Sequence, residues 1–211
     1  MTKYLKIETP FERAADGSKK LIEGKFRNET VEYLANSEWV FTEKIDGTNI
    51  GIVWDGHKIT YQGRTENAQI PAHLANKLVE LFGGNSNEEL FEQKFEDQPV
   101  ILFGEGYGVK INGGGTYRPD VSFILFDVYL PAVNIWLKRE AVEDIARTFN
   151  IDVVPVIMRG TIKQAVDYVK TSPTSTIGTA KMEGLVGRPA VELTDRVGRR
   201  VITKIKAVDF E

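Results

Sequence analysis

The sequence predicts an α+β fold with mainly antiparallel, curved sheets flanked by helices. Strand-like apolar runs occur along the whole chain, and the helical segments between them do not alternate regularly enough for a βαβ array. The chain has 211 residues, of which 42% are hydrophobic and 27% charged, so it can bury a substantial core. We therefore expect one domain over residues 1–211, with the segment 1–38 packing on it.

Several segments have the composition and period of strands. WVFTEKI (39–45) and IGIVW (50–54) flank the turn residues DGTN and predict a hairpin. KITYQGRT (58–65) follows a second Asp-Gly turn and predicts the third strand of a meander. Further strands are predicted at residues 99–107, 122–130, 182–189 and 200–208.

Other segments have the period of amphipathic helices. In AHLANKLVELF, the residues Leu74, Leu78 and Leu81 lie on one stripe. Similar stripes predict two more helices, the second starting near Gly160 or Thr161. The helical segments are 72–82, 137–150 and 161–171. The glycine-rich segments GGN and GGGT predict loops at residues 83–85 and 113–116.

Composition excludes several classes of site. The chain has no cysteine, which excludes disulfide partners and thiol nucleophiles. Its two histidines, His57 and His73, have no metal-ligand spacing. The net charge of −3 means that nucleic acid would need a local basic face. No segment approaches the roughly 20 apolar residues of a membrane span, so we expect a cytoplasmic protein. The sequence indicates no oligomeric state.

Lys44 is the first candidate for chemistry. Strand alternation places it at a strand end, on the face opposite Glu43 and Ile45. A lysine amine has an unperturbed pKa of about 10.4 and attacks only after losing its proton. Nearby positive charge or desolvation would lower that pKa. Taken alone, the segment Lys-x-Asp-Gly also fits a surface lysine beside a turn.

Lys204 and Lys206 share one face of another predicted strand. Two ammonium groups on one face repel each other, so the pair favours an anionic partner such as a polyphosphate. They would also supply a positive field near Lys44. The alternative is a solvated face of a hairpin.

Further polar or aromatic residues interrupt or end predicted strands. Arg64 could form a bidentate contact with a phosphate or a ribose hydroxyl. Glu105 lies between glycines that allow close approach of a ligand, and Glu183 interrupts an apolar strand, where it could help to hold a divalent cation. Phe126, beside Asp127, could stack on a nucleotide base or simply pack in the core.

These segments occur in one order: EKIDGTN, GRT, FGEGYG, FILFDVY, KMEGLV and ITKIK. The series resembles motifs I, Ia, III, IIIa, IV and V of the covalent nucleotidyltransferases, the superfamily of ATP-dependent ligases and mRNA capping enzymes. KIDGTN and EGLV are most similar to the phage RNA ligase 2 type. The resemblance covers residues from about 39 to 206 and implies a nucleotidyltransferase, or ATP-grasp-like ligase, catalytic domain.

The resemblance also implies roles for single residues. Lys44 would attack the ATP α-phosphorus and become lysyl-AMP, and Glu183 would organise the metal. Lys204 and Lys206 would bind the α-phosphate and stabilise the transition state. The implied nucleotide contacts are Glu43, Ile45, Asn49, Arg64, Glu105 and Phe126.

The implied enzyme is an ATP-dependent RNA ligase that uses Mg²⁺, or Mn²⁺ in its place. It would adenylylate a 5′-phosphate RNA end and seal it to a 3′-hydroxyl end. Because the chain ends soon after the last motif, we expect it to act without the C-terminal domain that larger members of the superfamily carry. The natural RNA is not indicated. Two alternatives stay open: a minimal DNA nick-sealing ligase without an OB domain, and a non-catalytic nucleotide- or RNA-binding module.

Overall fold

The computed structural model describes residues 2–18, 20–65, 67–112 and 116–211. The strands are β1 (Phe11–Arg13), β2 (Leu21–Phe26), β3 (Trp39–Lys44), β4 (Thr48–Trp54), β5 (Ile59–Gln62), β6 (Val100–Gly108), β7 (Val121–Leu130), β8 (Ile135–Trp136), β9 (Asp152–Val153), β10 (Val156–Gly160), β11 (Gly184–Pro189) and β12 (Thr203–Lys206). The helices are α1 (Glu29–Leu34), α2 (Ala72–Phe82), α3 (Asn85–Phe95), α4 (Arg139–Thr148) and α5 (Ile162–Lys170). Nearly all strand pairs are antiparallel, which confirms the predicted α+β class.

The chain divides into two compact units. Unit 1 consists of Met1–Leu5 and Asp46–Val154. Its sheet has the strand order β5-β4-β6-β7-β8, with β9 pairing in parallel to β7. Helices α2, α3 and α4 bury one apolar stripe each in the core of this unit, for example Leu74, Leu78 and Phe82 from α2.

Unit 2 consists of Lys6–Ile45 and Pro155–Glu211. Its larger sheet has the order β10-β3-β11-β12, and β1 pairs with β2 in a second, two-stranded sheet. Helix α5 starts with a capping box, in which Thr161 and Gln164 each bond to the other's backbone. Its buried face meets Trp39 and Phe41 of β3 in a second core.

Most of the predicted elements are confirmed within a few residues. Helix α2 has the predicted bounds, and α4 and α5 are shorter than predicted by a few residues at their ends. Seven elements were not predicted: the strands β1, β2, β8, β9 and β10, the short helix α1 and the 11-residue helix α3. Asn85, assigned to a loop, is the first residue of α3, and residues 113–115 of the predicted GGGT loop lie outside the described residues.

The hairpin predicted across DGTN is wrong. β3 pairs with β10 and β11, whereas β4 pairs with β5 and β6, so the two strands belong to different sheets. Asp-Gly predicts a hairpin when its glycine adopts a positive φ, and Gly47 does not. Glycine is needed there for another reason: a Cβ atom at Gly47 would lie 2.3 Å from the carbonyl oxygen of Gly106.

Candidate active site

Strand register in unit 2 aligns two of the predicted lysines. Gly184 of β11 lies opposite Lys44 of β3 on one side and opposite Lys206 of β12 on the other. Residues directly opposite each other in a sheet project to the same face. We call Lys44, Gly184 and Lys206 the lysine row.

Glu183 joins the two lysines of this row. Its Oε2 lies 2.6 Å from Lys44 Nζ, and its Oε1 lies 2.7 Å from Lys206 Nζ. The three side chains are 16–29% exposed, so water screens these ion pairs less than it would at an open surface. Two ammonium groups and one carboxylate leave a net charge of +1, which suits a bound phosphate.

Gly184 allows the row to be this compact. A Cβ atom at this position would lie 2.0 Å from the carbonyl oxygen of Ile205 and 2.8 Å from Lys206 Cα. Any side chain would therefore push β12 away from β11, and Lys206 with it.

Lys204 lies two residues before Lys206 in β12 and projects to the same face. It is opposite Val186, which is opposite Thr42 on β3. Thr203 and Ile205 point the other way and are buried, as the predicted alternation requires. Lys204 thus shares a face with the lysine row.

Glu43 and Ile45 lie on the opposite face from Lys44 and are only 1% and 4% exposed. Glu43 Oε2 accepts hydrogen bonds from the backbone N–H and the hydroxyl of Thr176, at 3.0 and 2.6 Å. Among the described residues, its Oε1 is buried and has no hydrogen-bond partner. The side chain of Glu43 is therefore not brought together with the lysine row.

Asn49 and Glu105 meet in unit 1. They are direct partners on β4 and β6, so their side chains share one face. Both are partly exposed. The register thus brings together two residues that stand 56 positions apart in the sequence.

Phe126 lies in a β-bulge. Asp127 is opposite Phe103 and Leu125 is opposite Gly104, so Phe126 has no counterpart on β6. Phe126 stays partly exposed while its neighbours in β7 are buried. A bulge re-aims a side chain in this way.

Tyr4 supports Phe126 from the N-terminal segment. Its ring meets that of Phe126 edge-on, with centroids 5.0 Å apart, and its hydroxyl donates a hydrogen bond of 2.8 Å to Asp127 Oδ2. Asp127 is fully buried. The sequence carries no signal for this contact, because 123 residues separate Tyr4 from Asp127.

Arg64 lies outside the regular sheet. The prediction placed it on a strand, but β5 ends at Gln62 and Arg64 is an exposed residue of the following bend. The glycine before it is the physical reason, because a glycine weakens a strand.

The turn after Lys44 is held by residues that sequence reasoning missed. Asn112 donates hydrogen bonds to Asp46 Oδ1 at 3.2 Å and to the Gly47 carbonyl at 2.6 Å. The hydroxyl of Tyr117 accepts from the Asp46 backbone N–H at 3.2 Å. Both residues follow β6, within a glycine-rich stretch that gave no site signal.

The described residues contain no group of three or more His, Cys, Asp or Glu side chains that could hold a metal ion. A metal at Glu183 would therefore need further ligands besides the acidic and histidine side chains of the described residues. Mg²⁺ commonly binds in that way, through one or two carboxylates and the phosphates of a substrate. Glu183 is a carboxylate of that kind.

The chain is similar to RNA ligases. Residues 37–206 match the family model described as RNA ligase. A Naegleria gruberi RNA ligase variant with AMP and Mn superimposes with a TM-score of 0.68 and 18% identity, over 98% of this chain and 56% of that chain. A second variant, with ATP and Mn, superimposes with a TM-score of 0.65 and 18% identity, over 84% of this chain and 52% of that chain.

These likenesses establish the fold, and the chain spans about half the length of the two Naegleria proteins. No curated protein sequence matches the chain. Within the part of the chain that the structure describes, no helix is long and apolar enough to cross a membrane.

Proposed function

Because the chain belongs to the RNA ligase family, we propose that it is an ATP-dependent RNA ligase whose nucleophile is Lys44. One observation carries the proposal: Glu183 holds Lys44 and Lys206 together on one face of the unit 2 sheet. A nucleophilic amine beside fixed positive charge is what attack on a phosphate requires.

In the first step, Lys44 Nζ forms a bond to the ATP α-phosphorus. The bond from that phosphorus to the bridging oxygen breaks, and pyrophosphate leaves. An ammonium has no lone pair, so Lys44 must lose a proton first. We propose that the proton passes to water, which reaches Lys44 because its side chain is 25% exposed, so that Glu183 stays a carboxylate able to hold the metal. The product is lysyl-AMP.

Lys204 and Lys206 stabilise the charge that builds up on the α-phosphate oxygens. Phosphoryl transfer involves mainly positioning and stabilisation of such charge. The shared face of Lys204 and Lys206 supports this role, since both ammonium groups extend from one short strand.

Mg²⁺, or Mn²⁺ in its place, is the proposed metal, and Glu183 is the residue that would hold it. When bound, the metal would neutralise charge on the phosphates and on the departing pyrophosphate. Glu183 also keeps both lysines in place, so it has a role in the protein itself.

The nucleotide contacts come from several elements. We propose that Glu105 and Arg64 contact the ribose, that Asn49 lies near the sugar-phosphate, and that Phe126 stacks on adenine. Glu43 and Ile45 would contribute backbone atoms, because their side chains are buried on the other face of β3.

Two further steps complete the reaction. A 5′-phosphate of RNA attacks lysyl-AMP, takes the AMP and releases Lys44. The 3′-hydroxyl of a second RNA end then attacks the adenylylated phosphate, and AMP leaves as the strands are joined. RNA would be held through its phosphates, so binding should weaken as salt concentration rises.

The first step can be tested directly. The protein is incubated with magnesium and ATP labelled at the α-phosphate, then denatured, and protein-bound label is measured. We expect label on the wild type, none on Lys44→Ala and strongly reduced label on Lys206→Ala. Lys163→Ala is the matched control, because Lys163 pairs with Asp167 on the surface of α5. Equal labelling of Lys44→Ala and wild type would refute the proposal.

A further inference from the structure

The residues before Glu183 form a closed loop. Within it, Ser175 N–H donates to the Ala180 carbonyl and Met182 N–H donates to the Pro173 carbonyl, both at 2.8 Å. Thr174 and Lys181 form an isolated bridge. We call residues 173–182 the 173–182 loop. Glu183 follows directly after this loop in the sequence.

The tip of this loop is bound to the strand of the nucleophile. Thr176 gives both of its donors, the backbone N–H and the hydroxyl, to one oxygen of Glu43. Glu43 is the residue before Lys44 in β3. The loop that ends at Glu183 is therefore tied to the strand that ends at Lys44.

Glu43 is buried, so its carboxylate cannot exchange this contact for hydrogen bonds to water. Its side chain is 1% exposed, and among the described residues only one of its two carboxylate oxygens finds a partner. A buried carboxylate without hydrogen bonds is strongly disfavoured. The carboxylate of Glu43 therefore depends on Thr176, and the loop has one favoured position.

We propose that Thr176 is a positioning residue that acts through Glu183. By fixing the 173–182 loop to Glu43, it keeps the carboxylate of Glu183 between Lys44 and Lys206. The inference rests on the proposed function, because the effect of Glu183 on Lys44 matters only if Lys44 is the nucleophile. Thr176 touches none of the reacting groups.

Three variants distinguish the hydrogen bond from the Thr176 hydroxyl to Glu43 from other contacts within the 173–182 loop. Thr176→Val keeps the shape of the side chain and removes the hydroxyl, whereas Thr176→Ser keeps the hydroxyl. Ser175→Ala is the matched control: the Ser175 hydroxyl accepts from Ile177 N–H within the same loop and does not bind Glu43. We expect Thr176→Val to slow self-adenylylation by about tenfold, as loss of a supporting residue commonly does. Thr176→Ser and Ser175→Ala should stay within about twofold of wild type.

A double-mutant cycle tests whether Thr176 acts through Glu183. In a Glu183→Gln background, Thr176→Val should slow single-turnover labelling no further. An equal slowing in both backgrounds would overturn the inference. Absence of label on the wild type would instead refute the proposed function, so the two failures are distinguishable.

A measurement without nucleotide gives a second test. Ala207 N–H donates to the Glu183 carbonyl at 3.0 Å, so hydrogen exchange at Ala207 reports how firmly Glu183 is held. We expect Thr176→Val to accelerate exchange at Ala207, and Thr176→Ser and Ser175→Ala to leave it unchanged. Unchanged exchange in Thr176→Val would contradict the inference, whether or not Glu183→Gln labels fast enough for the cycle.

Discussion

The two units bring polar side chains together by different means. In unit 2, plain register across β3, β11 and β12 aligns Lys44 with Lys206, and Glu183 then bonds to both. In unit 1, register pairs Asn49 with Glu105. The side chain of Phe126, in contrast, is partly exposed because a bulge leaves this residue without a partner on β6. A regular sheet is enough to align charges, whereas a change of side-chain direction needs an irregularity.

The difference extends to what supports each group. The lysine row depends on a position without a side chain, Gly184, which lets neighbouring backbones approach. The position of Phe126 depends on its contact with the ring of Tyr4, which is itself held by a hydrogen bond to the buried Asp127. We therefore expect the lysine row to be sensitive to added volume and Phe126 to lost contact.

The largest expected effect follows from filling Gly184. Gly184→Ala should lower the free energy of unfolding by about 3 kcal/mol, since overpacking against a backbone relaxes poorly. It should also strongly reduce labelling of Lys44, as Lys206→Ala does, because Lys206 moves with β12. Urea denaturation and the labelling assay measure the two effects.

Gly24→Ala is the control for this substitution. Gly24 has a φ of 80° but nothing within 4 Å of the added Cβ atom, so only backbone strain of about 1 kcal/mol is expected. If both variants lost the same stability, the close approach of β11 and β12 would not be what requires glycine at position 184.

An intermediate effect is expected at Phe126. Phe126→Leu should raise the KM for ATP in self-adenylylation by about tenfold, since stacking on a base contributes about 1–3 kcal/mol. The kcat should change little, because Phe126 does not act on the phosphate. The kinetics of labelling at varied ATP concentration measure both constants.

Phe95→Leu is the matched control for Phe126→Leu. Phe95 is also half-buried in unit 1, but its ring meets Phe91 and Phe149. A rise in the KM for ATP in both variants would indicate general loosening of unit 1 and would argue against stacking by Phe126.

The smallest effect concerns acid stability. Hydrogen bonds from Arg118 hold the pKa of Asp120 below its usual value. A lowered pKa in the folded state adds stability above the unfolded-state value of about 3.9 and loses it as pH falls further. Because the Asp120 side chain is 57% exposed, Asp120→Asn should cost less than about 1 kcal/mol at pH 7.

That cost should shrink as the pH falls from the unfolded-state pKa of about 3.9 through the lower folded-state pKa of Asp120, which urea denaturation at several pH values would measure. Glu89→Gln is the control: Glu89 is exposed, lies beyond the first turn of α3 and has no ion pair among the described residues, so its effect should be small at every pH. A cost for Asp120→Asn that persisted in acid would show that the ion pair with Arg118 is not its cause.

Much of the fold could be predicted from local patterns. The apolar stripe of α2 and the alternation of β3 and β12 need only the periods of helix and strand, and the structure confirms them. The hairpin across Asp46 and Gly47 was predicted from the same kind of pattern and is wrong, because the pairing of β4 is decided by β5 and β6.

The residues of the candidate site also divide into those that local patterns identified and those that they missed. The order of the motifs singled out Lys44, Glu183 and Lys206. Thr176, Tyr4, Asn112 and Tyr117 were missed, because each acts through a partner distant in the sequence, such as Glu43 for Thr176 at a separation of 133 residues.

The sequence by itself determined which chemical groups the chain carries and, within regular strands such as β3 and β12, which face each occupies, since side-chain alternation is a local property of the backbone. Only the tertiary structure decided which of these groups meet. Strand register and bulges are chosen by packing over the whole unit, where many weak contacts together outweigh any local preference. For this reason, the motifs could assign Lys44, Glu183 and Lys206 to one phosphate site, but the two ion pairs by which Glu183 joins the lysines could not be predicted.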